Sequence, residues 1–186
     1  MKTKGHHTLE NRGNADRIKQ PSLSKYKGED DPHNPFLGEG YYFWDNNIGM
    51  AHEWGRIRYP TKGYYIFEGS LSLEDKFLFD LVGNRSDQIR IKELFKFFVA
   101  KTGKKDFDLA QFFEVLKFVV KYKPQKNINI FPYKYIRAVD NSKRTLDTIR
   151  FNMGKEPYTN LSPVYLICLF ELNELALQRF FRIYPS

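Results

Sequence analysis

Gly38-Glu39-Gly40-Tyr41-Tyr42-Phe43-Trp44-Asp45 is the most informative stretch of this chain. Two glycines, which tolerate positive φ and let a backbone approach closely, give way to aromatic residues of high strand propensity. Asp45-Asn46-Asn47 then offers helix-capping side chains. Ile48, Ala51 and Trp54 follow at near-helical spacing, with Gly55 as the expected stop. A turn, an aromatic strand and a short helix are therefore expected in succession. By itself the segment reads as an ordinary turn entering a core strand, although glycines beside a flat ring also suit a planar ligand.

Working outward, Gly63 to Leu73 reads as one long strand or a strand pair, and Lys76 to Leu81 as another strand. Upstream, residues 1–8 form a short extended start, and Asn14 is set to cap a short helix through Lys19 that Pro21 ends. Residues 20–36, with Pro21, Pro32, Pro35, Gly28 and the acidic run Glu29-Asp30-Asp31, are punctuated like a surface loop. Between 83 and 123 the apolar period changes. Ile91, Leu94, Phe95, Phe98 and Val99, then Phe112, Phe113, Leu116, Phe118, Val119 and Val120, predict two helices flanking Thr102-Gly103-Lys104-Lys105. Strands are expected again over Ile128 to Val139, near Thr148 to Phe151, over Val164 to Phe170 and at Phe180 to Tyr184. The class is α+β with mostly antiparallel strands, and the helical pair reads as a basic insertion over 83–126.

A length of 186 residues suits one domain, 1–186. Hydrophobic residues at 41% and aromatics at 17% argue against disorder. The net charge of +8 is concentrated: residues 83–126 hold 11 Lys/Arg against 5 Asp/Glu, whereas 36–82 hold 4 against 7. Such a concentration attracts phosphate backbones or acidic protein surfaces, and equally describes a solvated helix face. The single cysteine, Cys168, excludes an internal disulfide and a Cys-based zinc cluster, and its apolar surroundings favour a buried thiol over a nucleophile. The chain begins Met1-Lys2-Thr3-Lys4-Gly5-His6-His7 without an apolar leader, and no apolar run approaches the roughly 20 residues of a membrane span. The expectation is a cytoplasmic protein, of the producing or a target cell, with no membrane partner.

His6-His7-Thr8 stands upstream of the glycine–aromatic stretch. Together the two motifs resemble the H-G-T and G-x-G-x-Y-F elements of ADP-ribosyltransferases of the poly-ADP-ribose-polymerase and diphtheria-toxin type. The resemblance covers about the first 80 residues well and the last 25 or so loosely, and does not cover the basic helical pair. It implies a split antiparallel β-sheet core with short helices. It also implies NAD⁺ as substrate, with no metal. On that pattern His6 would hold a ribose hydroxyl, His7 would clamp the nicotinamide amide through its backbone, and Tyr42 would stack on the nicotinamide ring. Thr8, Gly40 and Phe43 complete the expected NAD⁺-binding set. The chemistry is consistent: breaking the glycosidic bond builds cationic character on the ribose while neutral nicotinamide leaves, so the leaving group must be gripped and the ribose oriented.

Many members of that family place a glutamate at the start of a late strand, where Val164 stands here. Similar enzymes with an apolar residue there transfer a single ADP-ribose unit, and others have lost activity. Two carboxylates could substitute: Glu171 in a shifted register, taken as the third catalytic residue beside His6 and Tyr42, or Glu68 from the Tyr64 to Leu73 strand. Either could instead be a surface carboxylate. His33 and His52 lack metal-ligand spacing. Arg137, Lys143, Arg144 and Arg150 could meet a pyrophosphate or nucleic acid, or be solvated charges. The leading expectation is a mono-ADP-ribosyltransferase, of toxin or effector type, that modifies a macromolecule and releases nicotinamide. RNA or DNA is favoured slightly over protein as acceptor, and a toxin would have an antitoxin or immunity partner. The alternatives are a degenerate module binding NAD⁺, ADP-ribose or RNA, and an NAD⁺ glycohydrolase.

Overall fold

Segments rich in β-branched and aromatic residues form the strands, and the two with a 3.6-residue apolar period form the longest helices. The structure is a computed structural model that describes residues 1–28, 31, 34–103, 106–122, 130–140, 148–150, 158–160 and 164–185. In chain order it contains β1 (Lys2–Glu10), β2 (Tyr41–Asp45), α1 (Ile48–Arg58), β3 (Tyr64–Ser72), β4 (Leu78–Asp80), α2 (Arg85–Thr102), α3 (Leu109–Tyr122), β5 (Tyr135–Val139), β6 (Thr148–Arg150), β7 (Tyr158–Asn160), β8 (Tyr165–Leu169) and β9 (Leu177–Tyr184). Short 3₁₀ turns occupy Ala15–Arg17 and Asp75–Phe77. The protein is thus α+β. Its main sheet has seven strands in the order β4-β5-β8-β2-β1-β3-β9, and β6 pairs with β7 separately.

Every neighbouring pair in the main sheet is antiparallel except β4 and β5. A parallel pair needs a long crossover, and α2 and α3 lie in that connection. The helices are not a mere appendage. Leu94, Phe98, Phe112, Phe113 and Leu116 form one core cluster with Phe79, Ile136 and Cys168 of the sheet. Each fully buried side chain of this size contributes roughly 1.5–3 kcal/mol. Asn84 caps α2 by accepting from the Ser86 and Asp87 N–H groups, and Gly103 ends it with φ 66°.

The opposite end of the same sheet face is covered by α1, where Met50 and Ala51 pack on Trp44, Ile66 and Leu166. The other face buries Phe43, Leu71, Leu78, Tyr135, Ile167 and Leu169. Residues directly across a ladder share a face. His6, opposite both Trp44 and Glu68, is therefore on the helix side.

Some local expectations need correction. Asn14 makes no side-chain cap, and the helix expected through Lys19 is only the turn Ala15–Arg17. Gly55 does not stop α1, which runs on to Arg58; it is buried, and any Cβ there would strike the Tyr64 ring. Of the two readings of Gly63 to Leu73, the single long strand is the one found, as Tyr64–Ser72. Among the described residues of the stretch Ile128 to Val139, strand runs over Tyr135–Val139; 123–129 lie outside the described residues. Among the described residues no helix is long and apolar enough to cross a membrane.

Candidate active site at the parting of two strands

β1 and β2 pair at only two positions, Gly5↔Asp45 and His6↔Trp44, and then diverge. Beyond that point β1 stays with β3 as far as Glu10↔Tyr64, while β2 stays with β8 as far as Tyr41↔Leu169. Continuing the register would set Thr8 against Tyr42. Instead the His7 ring enters: its Nδ1 donates to the Tyr42 carbonyl at 2.7 Å and its Nε2 accepts from the Ser22 N–H at 3.1 Å. A carbonyl only accepts and an amide N–H only donates, so the partners define one neutral tautomer. Burial agrees with this, pushing the His7 pKa down to about 4. The loop beyond follows into the opening, with Ser24 and Gly40 exchanging backbone bonds of 2.9 and 3.1 Å.

His6 sits at the mouth of the parting. Its Nε2 lies 3.5 Å from Glu68 Oε2, and Lys4 Nζ lies 3.0 Å from the other carboxylate oxygen. Burial outweighs the opposing pull of Glu68 and lowers the His6 pKa. The neutral ring therefore directs Nε2–H at Glu68 and leaves Nδ1 as an acceptor. That Nδ1 is buried and has no hydrogen-bond partner among the described residues. An unsatisfied buried acceptor costs about 1–3 kcal/mol, which a ligand hydroxyl would relieve. Next to it, Thr8 Oγ1 donates to the Ala51 carbonyl at 2.8 Å and ties α1 to β1.

Tyr42 stands across the parting on the same face. It is half-buried, and its hydroxyl donates to the Gly38 carbonyl and accepts from the Leu37 N–H, each at 2.7 Å. Gly38, at φ +82°, supplies the backbone turn that makes both bonds. The side chain is thereby fixed in position between the two core clusters of the helix side.

Gly40 and Phe43 act through packing. Phe43 is fully buried on the opposite face, its ring centroid 5.5 Å from that of His7. A Cβ on Gly40 would collide with Cys168 Sγ and lie 2.8 Å from the Leu169 carbonyl oxygen. Gly40→Ala is expected to lower stability by about 1–3 kcal/mol, measured by urea unfolding, because the facing backbone cannot yield. Wild-type stability in that variant would refute the tight β2–β8 approach.

Cys168 is buried, and burial pushes its thiol up to about 12. Native protein at pH 8 is expected to resist a thiol-reactive disulfide for hours and to react at once in denaturant. Rapid labelling of the native protein would mean that β8 opens readily.

The acids divide clearly. Glu68 is brought to His6. Glu171 lies past the end of β8, in a bend five residues beyond Leu166, the β8 residue level with His6 through Trp44. Val164 is half-buried against the cluster of Trp44, Met50 and Leu166. Arg137, which sequence reasoning offered to a phosphate, is engaged instead by Asp45 at 2.7 Å and by the Tyr165 ring at 4.6 Å. His33, Lys143 and Arg144 lie outside the described residues, as does the Arg150 side chain. No group of three or more His, Cys, Asp or Glu that could hold a metal occurs among the described residues. A cleft of 380 Å³ adjoins the end of β1, lined by Leu9, Arg12, Arg17, Lys19 and Tyr59 among others.

Sequence reasoning assigned His7 a backbone role only, whereas its side chain is buried and joins β1 to β2 and to the Ser22 loop. Its partners come from segments 15 and 35 residues away, and no local pattern signals them. Comparison with family models, with curated proteins and with solved structures finds no match to this chain.

Proposed function

We propose that this protein is an NAD⁺-dependent mono-ADP-ribosyltransferase with an ADP-ribosyltransferase-like split sheet. The observation that carries the reading is the parting of β1 from β2 just beyond His6, with the unpartnered His6 Nδ1 at its mouth and Tyr42 on the facing strand. In this reading Nδ1 accepts from a ribose hydroxyl, the Tyr42 ring meets the nicotinamide, and Glu68 holds the imidazole in its neutral tautomer. Of the cations around the cleft beyond β1, Arg12 is paired with Glu10, which also lines it, and Arg17 and Lys19 suit a pyrophosphate. The bond between ribose and nicotinamide breaks with its electron pair leaving on nicotinamide. A nucleophile of the acceptor bonds to the same ribose carbon and gives up its proton.

A second reading, a degenerate module that binds NAD⁺ or ADP-ribose without chemistry, is favoured by one feature. Val164 contributes apolar packing where the family places an acid, and Glu171 lies outside β8 in the bend that follows it. Incubation with NAD⁺ labelled on the adenine side, with protein and RNA extracts supplied separately, distinguishes the two. Label retained on a macromolecule with wild type and lost with Tyr42→Ala supports transfer. NAD⁺ binding without nicotinamide release sinks the transferase and leaves the module.

A further inference from the structure

Strand β9 is one edge of the sheet and pairs only with β3. Its register with β3 shifts between Ile66 and Phe67: Ile66 faces Tyr184, Phe67 faces Arg182 and Glu68 faces Phe181. Ile183 is the extra residue. Strict alternation would send residues 181 and 184 to opposite faces, whereas one inserted residue resets the pleat and brings both to the face of Ile66 and Glu68. That is the face of His6, at a margin where β9 lies beyond the strands that α1 caps.

Both rings are open there, Phe181 at 48% and Tyr184 at 38% exposure. Tyr184 stacks on Tyr64 at 5.2 Å between centroids, and the His52 ring meets it edge-on at 4.6 Å. Arg56, one turn beyond His52 on α1, is exposed and reaches the Tyr64 hydroxyl. Lys4, with 61% of its side chain exposed, flanks Glu68 on the other side. The surroundings of the His6–Glu68 pair are therefore aromatic and cationic.

We propose that this margin of the sheet docks the acceptor, and that the acceptor is a single-stranded nucleic acid whose bases lie on Phe181 and Tyr184 and whose phosphates meet Arg56 and Lys4. Exposed rings accept any base, Phe181 by its open ring and Tyr184 by the part that Tyr64 and His52 leave uncovered, and neighbouring cations match a phosphate backbone. An acidic peptide would meet the cations but has no use for two open rings. The word acceptor rests on the transferase reading; the docking surface does not.

The test is fluorescence anisotropy of a labelled single-stranded RNA of about 12 nucleotides, within the span such surfaces cover, without NAD⁺. Phe181→Ala and Tyr184→Ala are each expected to weaken binding about tenfold, a typical loss for one stacked base. Arg56→Glu is expected to reduce the logarithmic salt slope by about 0.7, the share of one phosphate contact on a single strand. Lys92→Glu with Lys96→Glu, on the solvent side of α2, should bind as wild type does. Phe181 and Arg56 are exposed enough that their variants fold, which unchanged thermal melts would verify. Absence of saturable binding by wild type, or wild-type affinity in Phe181→Ala and Arg56→Glu, overturns the proposal. RNA binding without nicotinamide release keeps the docking surface and removes the chemistry; nicotinamide release without RNA binding does the reverse.

Discussion

His6→Ala is expected to lower nicotinamide release from NAD⁺ by at least about 100-fold in kcat/KM, the usual consequence of losing a group that orients a reacting sugar. The imidazole is held by the pleat of a central strand and by Glu68 at 3.5 Å, and its Nδ1 is the unpartnered acceptor at the parting. Glu68→Gln should cost about tenfold or less, because an amide oxygen can still accept from Nε2–H and keep Nδ1 as the acceptor. The order of the two effects is the informative part. A Glu68→Gln loss as deep as that of His6→Ala would assign the carboxylate itself to the chemistry. Unchanged release in His6→Ala, in a variant with wild-type unfolding, would remove His6 from the site.

The second large effect is on stability. His7 is buried between Phe43, Phe180 and the Tyr42 carbonyl, and its pKa falls from 6.5 to about 4. Between those values the unfolded chain binds a proton that the folded chain excludes. Stability is therefore full above pH 6.5 and is lost as pH falls towards 4. The linkage amounts to roughly 2 kcal/mol between pH 7 and pH 5, approaching about 3 kcal/mol below pH 4. Lowered pKa values for His6 and His52 act in the same direction. Urea unfolding at pH 7 and pH 5, wild type against His7→Gln, isolates the part due to His7. The variant should be weaker at pH 7 yet lose much less on acidification. An equal loss in both proteins would show that His7 is not the buried neutral group.

The motif at Gly38 to Asp45 was legible because each of its signals is local. An aromatic run became β2, and Asn47 caps α1 by accepting from the Met50 N–H at 3.0 Å. The apolar periods of α2 and α3 were equally plain, since a helix buries one side whatever it packs against. Gly55 was misread because a glycine that ends a helix and one that admits a tyrosine ring look the same in sequence. What the helical pair packs against was also hidden: the apolar period showed two helices, and only the structure shows their apolar side joining the core beside the crossover between β4 and β5.

For the candidate site, sequence reasoning proposed His6, His7, Thr8 and Tyr42, and the structure sets them on two strands that separate between them. Glu171 and Glu68 were both open from the sequence, and only strand register decides which stands beside His6. The same holds for Phe181 and Tyr184, whose common face depends on one extra residue in β9.

By itself, then, the sequence determined the α+β class, the central aromatic strand, the capped helix and the two apolar helices. These follow from side-chain volume, backbone freedom and periodicity within about ten residues, where hydrophobic pattern and capping act directly. The tertiary structure alone decided that His7 closes onto Tyr42 and Ser22, that Glu68 rather than Glu171 meets His6, and that His6 Nδ1 is left without a partner. Those facts depend on which distant segments pair and in what register. A ladder shifted by one residue turns every side chain to the other face, so no local composition can specify them.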